Sequence, residues 1–488
     1  MPRSKSAKQF KNKQSKRSKQ NRRAKASKNR KAKRDKLRTN CMDASQAIQS
    51  FFGHEDIFSD YQFHGNIKWS PEDLVKMALI FSWSEKRHVT DAFTEMLKRC
   101  NKLGITTTLT TYQGFMGALA NYAHVLIPRL VEQLQEKMQQ AGGEFWQIAK
   151  FVPIAFDGSR NSASRTESNE QELCSAKGKK KAIDFPSVVT DPKPQAWITL
   201  LWHMGLRMPW DWRLGPSDSS ERRHVQEMLG EGGFPENTLF VGDAGFVGYD
   251  FWRSMLDRGH HFMVRVGSNV KLISDMVDYH QEGDEVLCWP KDKQNKQPPL
   301  RLRLVRVEIG NAEVYLLTSV LSSQQLPASA MTLLYKKRWG IEIEFRGLKQ
   351  TLDGQRLCCR NVDRLYAELH FSILAMAVAE LLAIGEQLLD SREGSSDYTP
   401  QDRSLAGTMR AIYDCLDELS EVVPRGEDLF SRLAAALTDR YQRKSSKKAR
   451  YRPRQSEKKK KKIKPPKIRS MNEFEREKLK QMGLTVAA

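Results

Sequence analysis

Three acidic residues, Asp157, Asp243 and Glu342, are candidates for chemistry that depends on a divalent metal ion. Asp157 and Asp243 each follow a short apolar run, Phe151–Phe156 and Leu239–Gly242, that predicts a β-strand. Functional groups gather at the carboxyl ends of strands in open α/β sheets, so two such strands side by side would bring these carboxylates together. Asp followed by Gly is also ordinary turn chemistry, and neither aspartate is informative alone.

The third acid, Glu342, lies on a long helix predicted to begin near residue 328. Steps of three, four and seven residues place Tyr335, Arg338, Glu342 and Lys349 on one helical face, apart from an apolar stripe that can pack on a sheet. A carboxylate is therefore held between cations on a face that need not be buried. An ordinary surface helix could show the same spacing because its side chains form salt bridges. The helix therefore supports a functional site only in combination with the two aspartates.

Together these residues resemble a known family, the bacterial insertion-sequence transposases of the DDE type. The resemblance rests on three motifs, which are Tyr335-x2-Arg338-x3-Glu342-x6-Lys349 (similar to the family's YREK signature), Asp157-Gly158-Ser159 and Asp243-Ala-Gly-Phe246. The order of the three acids and a β insertion before the glutamate are also similar, and the likeness covers roughly residues 150–390. It implies an α/β fold of the RNase H-like kind, a mixed sheet flanked by helices. It also implies that Tyr335, Arg338 and Lys349 contact DNA phosphates near the transposon end.

The chemistry of phosphodiester transfer gives the three acids a role. Two metal ions about 3.5–4 Å apart activate the attacking oxygen, stabilise the leaving oxygen and hold both in line. Three carboxylates suit Mg²⁺, with Mn²⁺ as a substitute. We expect Asp157 to bridge two ions, and Asp243 and Glu342 to bind one each. Water attack would nick the DNA, and the freed 3′-hydroxyl would attack a second duplex.

The charge of the chain is concentrated at its two ends. Residues 1–40 hold 18 Lys and Arg against one acid, and residues 441–470 hold 15 against one, whereas residues 41–440 are net acidic although the whole chain carries +23. Such runs repel themselves and stay disordered until they meet a polyanion, and neutralised phosphates release counterions. Double-stranded DNA is therefore the favoured partner, although solubilising arms or RNA binding would show the same charge.

Cysteine usage and hydropathy indicate the kind of cellular compartment in which the protein acts. The seven cysteines show no CxxC spacing, which argues against a disulfide framework and structural zinc and favours a reducing compartment. No signal peptide fits the basic N-terminus, and the longest apolar stretch, Phe371–Ile384, is short for a bilayer and contains Glu380. We therefore expect a soluble protein without a membrane partner. By the resemblance it acts in the bacterial cytoplasm, at the nucleoid.

The pattern of elements predicts several regions. They are a disordered basic tail (1–40), a helical domain with possible DNA-end recognition (41–150), a catalytic domain (151–390) with a β insertion (about 267–326), a helical segment (391–440) and a second basic tail (441–488). Within the catalytic domain the apolar run before Asp157 is expected to end at that residue, and a polar loop is expected from Ser159 to about Pro194.

Three functions fit these observations. The first is a DNA transposase that acts as a homodimer or larger assembly, because two ends must be joined. The second is a nuclease of the same fold that cleaves without strand transfer. The third is a domesticated nucleic-acid-binding protein that works through its tails, and the intact acidic triad argues against it.

Overall fold

The structure is a computed structural model that describes residues 38–53, 56–86, 88–174, 193–274, 285–310, 312–352, 357–392, 398–424, 426–438 and 464–483. Most of the predicted N-terminal basic tail, and the lysine-rich part of the C-terminal one, lie outside these described residues. So does half of the polar stretch predicted as a loop after Asp157, residues 175–192.

The helices are numbered in chain order. They are α1 (Asn40–Phe52), α2 (Pro71–Ser82), α3 (Val89–Lys102), α4 (Tyr112–Gly142), α5 (Glu167–Leu173), α6 (Glu221–Glu231), α7 (Tyr249–Leu256), α8 (Ala328–Arg338), α9 (Gly340–Gln350), α10 (Val362–Arg392), α11 (Leu405–Asp417), α12 (Leu429–Ala434) and α13 (Glu473–Gln481).

The strands are numbered in the same way. They are β1 (Arg38–Thr39), β2 (Val152–Ser162), β3 (Gln195–His203), β4 (Met208–Gly215), β5 (Thr238–Gly242), β6 (His261–Val266), β7 (Lys271–Ser274), β8 (Glu285–Cys288), β9 (Leu300–Ile309), β10 (Ala312–Thr318), β11 (Val422–Val423) and β12 (Lys467–Ser470).

The chain divides into two compact units, and the first is mainly helical. It comprises residues 1–141 and 367–438, and its helices bury the apolar faces that the sequence periodicity predicts, such as Leu74 and Met77 on α2. Ser70 caps α2 by accepting a hydrogen bond from the Asp73 amide. Deeper in this unit a buried ion pair joins Glu380 and Arg403 at 3.0 Å.

One helix, α10, is long and apolar enough to cross a membrane by length and composition. In the part of the chain that the structure describes, this is the single stretch that passes that test, over Val362–Asp390, and 83% of its most apolar window is buried inside the protein. The core helix of a folded domain passes the same test, and the buried ion pair between Glu380 of α10 and Arg403 fits that interpretation.

The second unit, residues 142–366 and 439–488, is built on a mixed sheet. Among the described residues the strand order is β12-β7-β8-β9-β10-β6-β5-β2-β3-β4. β2, β5 and β6 run parallel to one another, whereas β3 and β4 continue the sheet as an antiparallel hairpin beside β2. The central strands are apolar throughout, as β5 shows with all five residues buried. The predicted fold class, an α/β mixed sheet flanked by helices with a helical N-terminal region, is confirmed.

The predicted β insertion continues this same sheet. β10 pairs antiparallel with β6, and β9, β8 and β7 follow outward in order. Residues 464–483, which the sequence analysis assigns to a basic tail, supply β12 and α13. β12 pairs parallel with β7, and a small core forms from apolar side chains of both segments, namely Ile273, Leu287, Trp289, Met471 and Leu479.

Three elements differ from the sequence-based predictions. Helix α5 lies within the stretch predicted as a polar loop, and it begins after Thr166, whose side chain accepts a hydrogen bond from the Asn169 amide. β2 does not end at Asp157 but runs on to Ser162, because the antiparallel pairing with β3 continues through Asp157↔Leu200 to Ser162↔Gln195. The predicted long helix is divided at Trp339 into α8 and α9, where the Glu342 amide donates to the Trp339 carbonyl three residues back.

Candidate active site

The two aspartates are brought together by the register of β2 and β5. These strands are parallel and pair Ala155 with Val241, so Asp157 and Asp243, each two residues further on, emerge at the same level of the sheet. Gly242 allows the close approach, since a Cβ there would lie 2.5 Å from Cε2 of Phe156. Each carboxylate accepts a hydrogen bond from a nearby backbone amide. The Gly158 amide donates to Asp157 at 2.9 Å, and the Gly245 amide donates to Asp243 at 2.7 Å.

Glu342 reaches this end of the sheet because α9 packs tightly on β3. A Cβ on Gly340 would lie 2.1 Å from Cη2 of Trp202, so only glycine allows the helix to approach so closely. The Trp202 indole donates to Oε2 of Glu344 at 3.2 Å, which fixes the buried face of α9. Glu342, two residues before Glu344, is consequently turned away from that buried face, and its side chain is 36% exposed.

Arg338 lies between two of the acids. Its Nη1 is 3.5 Å from Oδ2 of Asp157, and its Nη2 is 3.7 Å from Oε1 of Glu342. The guanidinium is only 10% exposed and stacks over the Tyr335 ring at 5.6 Å. Two carboxylates from distant parts of the chain therefore share one cation.

The electrostatics of the site favour an added positive charge. Burial raises the pKa of Asp157 above its usual value, and the carboxylates of Asp243 and Glu342 raise it further, against the opposing effects of the Gly158 amide and Arg338. Glu221, the first residue of α6, has its pKa raised to about 7 by burial and by Asp157 and Asp243. Negative charge is thus in excess around Asp157.

A cavity of about 420 Å³ opens beside Asp157 and Glu342. It is lined by Asp157, Gly158, Ser159, Glu342, Phe345, Arg346, Lys349 and Gln350. Lys349 donates to Oγ of Ser159 at 2.6 Å, and burial lowers the pKa of its ammonium group. The cavity is therefore lined both by acidic groups, Asp157 and Glu342, and by cationic groups suited to phosphate, Arg346 and Lys349.

The structure places the predicted site residues at one end of the sheet. Arg338 contacts Asp157, Glu342 and the Tyr335 ring, and Lys349 shares the cavity with Asp157 and Glu342. Asp243 is adjacent through the β2–β5 register but does not line the cavity.

The acids are of the chemical kind that binds a hard divalent cation, but in this structure they do not form a metal site. Among the described residues no three His, Cys, Asp or Glu side chains lie close enough together to hold an ion. In this structure the positive charge between Asp157 and Glu342 is that of the Arg338 guanidinium. Carboxylate oxygens are the ligands that Mg²⁺ prefers, and Mg²⁺ needs only a few of them because it keeps water and substrate oxygens.

Two residues of this region were missed by the sequence analysis. Glu221 follows Ser220, which caps α6, and no spacing relates it to the three acids. Arg346 lines the cavity and lies four residues after Glu342 on the same helix, so the helical spacing could have pointed to it although the quoted signature does not include it.

Comparison with known protein families finds a match for part of the region that holds the site. Residues 200–378 match the family model described as a transposase DDE domain, and that range includes Asp243 and the whole Tyr335–Lys349 signature. Residues 200–378 are therefore similar to a transposase DDE domain, and the predicted resemblance to the DDE transposases of bacterial insertion sequences is confirmed.

Three individual proteins similar to this chain are also named as transposases or putative transposases. The chain is 26% identical over 152 residues to a putative transposase, y4zB, of Sinorhizobium fredii, which covers 30% of this chain and 42% of that protein. It is 28% identical over 158 residues to the transposase InsG for insertion sequence element IS4 of Escherichia coli, covering 30% and 34%. It is 26% identical over 158 residues to a putative transposase for element IS4SA of Synechocystis, covering 31% and 44%. In each case the matched region spans less than half of the relative.

A solved structure of a piggyBac transposase synaptic complex with hairpin DNA is more distant. It aligns over 83% of this chain and 87% of its own at 12% identity, with a TM-score of 0.41.

Proposed function

We propose that this chain is a DNA transposase that cleaves DNA at transposon ends and joins the freed ends to target DNA with Mg²⁺. The observation that carries the proposal is the convergence of Asp157, Asp243 and Glu342 at one end of the sheet, in a chain of which residues 200–378 match a transposase DDE domain. The three relatives are named as a transposase or a putative transposase, and these names support the same reaction.

The three carboxylates would hold the metal ions, which supply charge neutralisation and an activated oxygen when bound. Asp157 is the residue best placed to be shared, because it stands beside Asp243 through the strand register and reaches Glu342 through Arg338. The sheet fixes the two aspartates, and the Gly340–Trp202 contact fixes the helix that carries the glutamate. Preorganised acids of this kind hold charge without rearrangement during the reaction.

The cations beside the acids position the DNA backbone. Arg338, once its carboxylate partners are neutralised, can bind a phosphate through two N–H groups, and Lys349 can bind one as a point charge. Tyr335 extends the same face of α8. Since two ends must be brought together, the active form is a homodimer or larger assembly on double-stranded DNA in the cytoplasm.

The test is a cleavage and joining assay on DNA that carries the terminal sequences of the transposon. Asp157→Asn, Asp243→Asn and Glu342→Gln should each abolish Mg²⁺-dependent nicking and leave binding of the ends within about twofold of the wild-type value. Asp257→Asn is the matched control, because Asp257 is 59% exposed on the same unit and only meets Arg253 at 3.8 Å.

The outcomes separate the possible functions. Nicking followed by joining supports a transposase, nicking without joining indicates a nuclease, and end binding without nicking indicates a nucleic-acid-binding protein. Near-normal nicking by any one of the three acid variants would remove that residue from the site.

A further inference from the structure

The cavity of about 420 Å³ holds two cationic side chains from one turn of α9. Arg346 and Lys349 both line it, and their separation of three residues places them next to each other on one helical face. The helix is packed tightly on the sheet by the contact between Gly340 and Trp202. The sheet therefore sets the position of the helix that presents both cations to the cavity.

Neither cation is paired with a carboxylate. Within the part of the chain that the structure describes, Arg346 makes no hydrogen bond or ion pair and Lys349 makes no ion pair. The carboxylates of the same cavity are met by Arg338, which lies 3.5 Å from Asp157 and 3.7 Å from Glu342. The two cations of the cavity wall thus keep a positive charge that no described acid neutralises at ion-pair distance.

Lys349 is held by a neutral hydroxyl instead. Its Nζ donates to Oγ of Ser159 at 2.6 Å, and both residues line the cavity. Ser159 lies on the part of β2 that continues past Asp157, where it is paired with Ile198 of β3. Because the sheet fixes the backbone of Ser159, its hydroxyl holds the Lys349 ammonium group at a defined point of the cavity wall.

A serine hydroxyl orients an ammonium group without neutralising it. The hydroxyl of Ser159 accepts one of the three N–H donors of Lys349 and leaves the others available. Lys349 is half-buried, and burial lowers the pKa of its ammonium group, so an anion in the cavity would offset the cost of holding the charge there. Arg346 is exposed and carries a planar fork of donors that fits a phosphate.

The size of the cavity also suits a nucleotide-sized group. Ligand sites in proteins have volumes of about 300–1,000 Å³, and this cavity, at about 420 Å³, lies within that range. It is open to an extended strand, because Arg346 and Gln350 at its wall are both exposed.

We propose that Arg346 and Lys349 together bind one phosphodiester of the DNA strand that enters this cavity, and that Ser159 positions Lys349 for this contact. The inference rests on the proposed function, because it names further residues that hold the DNA at the same site. Arg346 supplies a bidentate contact and Lys349 a point charge. Ser159 acts only through Lys349, and it is therefore a positioning residue.

The experiment maps the phosphate contacts of the full chain on duplex DNA that carries the terminal sequence of the transposon. Duplexes in which one phosphate at a time is replaced by a neutral methylphosphonate identify the positions where charge matters, and affinity is also measured against salt concentration. The variants are Arg346→Gln, Ser159→Ala, Ser159→Thr, and Ser159→Ala combined with Lys349→Ala. The matched control is Arg223→Gln, because Arg223 is 80% exposed on the same unit and pairs with Glu227 at 2.8 Å.

Each variant has its own expected result. Arg346→Gln should reduce the slope of log affinity against log salt by about 1, and it should make binding insensitive to a methylphosphonate at one position that matters for the wild type. Ser159→Ala should weaken binding by about three- to tenfold, and Ser159→Thr, which keeps the hydroxyl, should restore it to within about twofold. In the Lys349→Ala background Ser159→Ala should add no further loss, because the residue through which it acts is absent. The Arg223→Gln control should keep the wild-type pattern of phosphate contacts.

Other results would overturn the inference. Wild-type affinity in Ser159→Ala, or an equal loss with and without Lys349, would remove the positioning role of Ser159. An unchanged salt slope and phosphate pattern in Arg346→Gln would remove Arg346 from the contact. If these results occur while the wild-type chain nicks the DNA with Mg²⁺, this inference fails and the proposed function stands. If the wild-type chain neither binds nor nicks this DNA, the proposed function fails as well.

Discussion

Gly340 offers a sharp test of how the fold positions Glu342. A Cβ on Gly340 would lie 2.1 Å from Cη2 of Trp202 and 2.9 Å from Cζ2 and Cζ3. Trp202 is fully buried, and its indole is fixed by a hydrogen bond to Glu344. The ring cannot move aside, so in Gly340→Ala the helix α9 must shift away from the sheet.

The size of that shift follows from the contact distance. Ordinary van der Waals contact begins near 3.4 Å, so α9 must move by more than 1 Å at Gly340. Glu342, two residues further on, moves with it and away from Asp157. Overpacking a core of this kind costs about 1–3 kcal/mol, and a misplacement of about 1 Å in a catalytic group costs about 100-fold in rate.

The assay combines thermal unfolding with single-turnover nicking. Gly340→Ala should lower the Tm by several degrees and reduce the nicking rate by about 100-fold, with end binding nearly unchanged. Gly230→Ala is the control, because Gly230 lies in helix α6 with no atom within 4 Å of the added Cβ. Wild-type nicking and stability in Gly340→Ala would refute the account of how Glu342 is positioned.

Three further predictions concern charge. Lys349→Ala should weaken DNA binding and reduce the slope of log affinity against log salt by about 1, and an unchanged slope would contradict the phosphate role. Arg338→Gln should lower the Tm of the metal-free protein, because Asp157 and Glu342 lose their shared cation. Added Mn²⁺ should then raise the Tm of this variant by more than it raises the Tm of the wild type. An equal rise would exclude competition between the guanidinium and the metal. Burial lowers the pKa of His203 to about 3 from an ordinary 6.5, so its contribution to stability is present above pH 6.5 and is lost as pH falls toward 3. His203→Gln should therefore reduce the acid slope of the unfolding free energy by up to about 1.4 kcal/mol per pH unit, and an identical slope would mean that His203 titrates normally in the folded state.

The sequence predicted most local elements because their hydrophobic patterns are strong. The strand predicted over Leu239–Gly242 is observed as β5, Thr238–Gly242. The end of β2 did not follow from its pattern, since the apolar run stops at Phe156. The strand continues through Asp157 because β3 supplies a pairing partner nearly 40 residues later. Long-range pairing of this kind has no local signal.

The candidate site was predictable in part for a similar reason. Helical spacing related Glu342 to Arg338 and Lys349, because one helix carries all three. Glu221 belongs to another helix and approaches Asp157 only through the packing of α6 beside β2. A residue brought in by tertiary packing leaves no periodic mark in the sequence.

The pairing of β12 with β7 bears on how the chain matures. Lys467–Ser470 meets Lys271–Ser274, so almost 200 residues separate the two partners. During synthesis β7 emerges long before β12. The outer edge of β7 and the Trp289 side chain therefore stay exposed until β12 and α13 are translated and pack against them. An unpaired strand edge invites association with other chains. A product terminated before residue 464 would therefore keep Asp157, Asp243 and Glu342 and still be prone to aggregation.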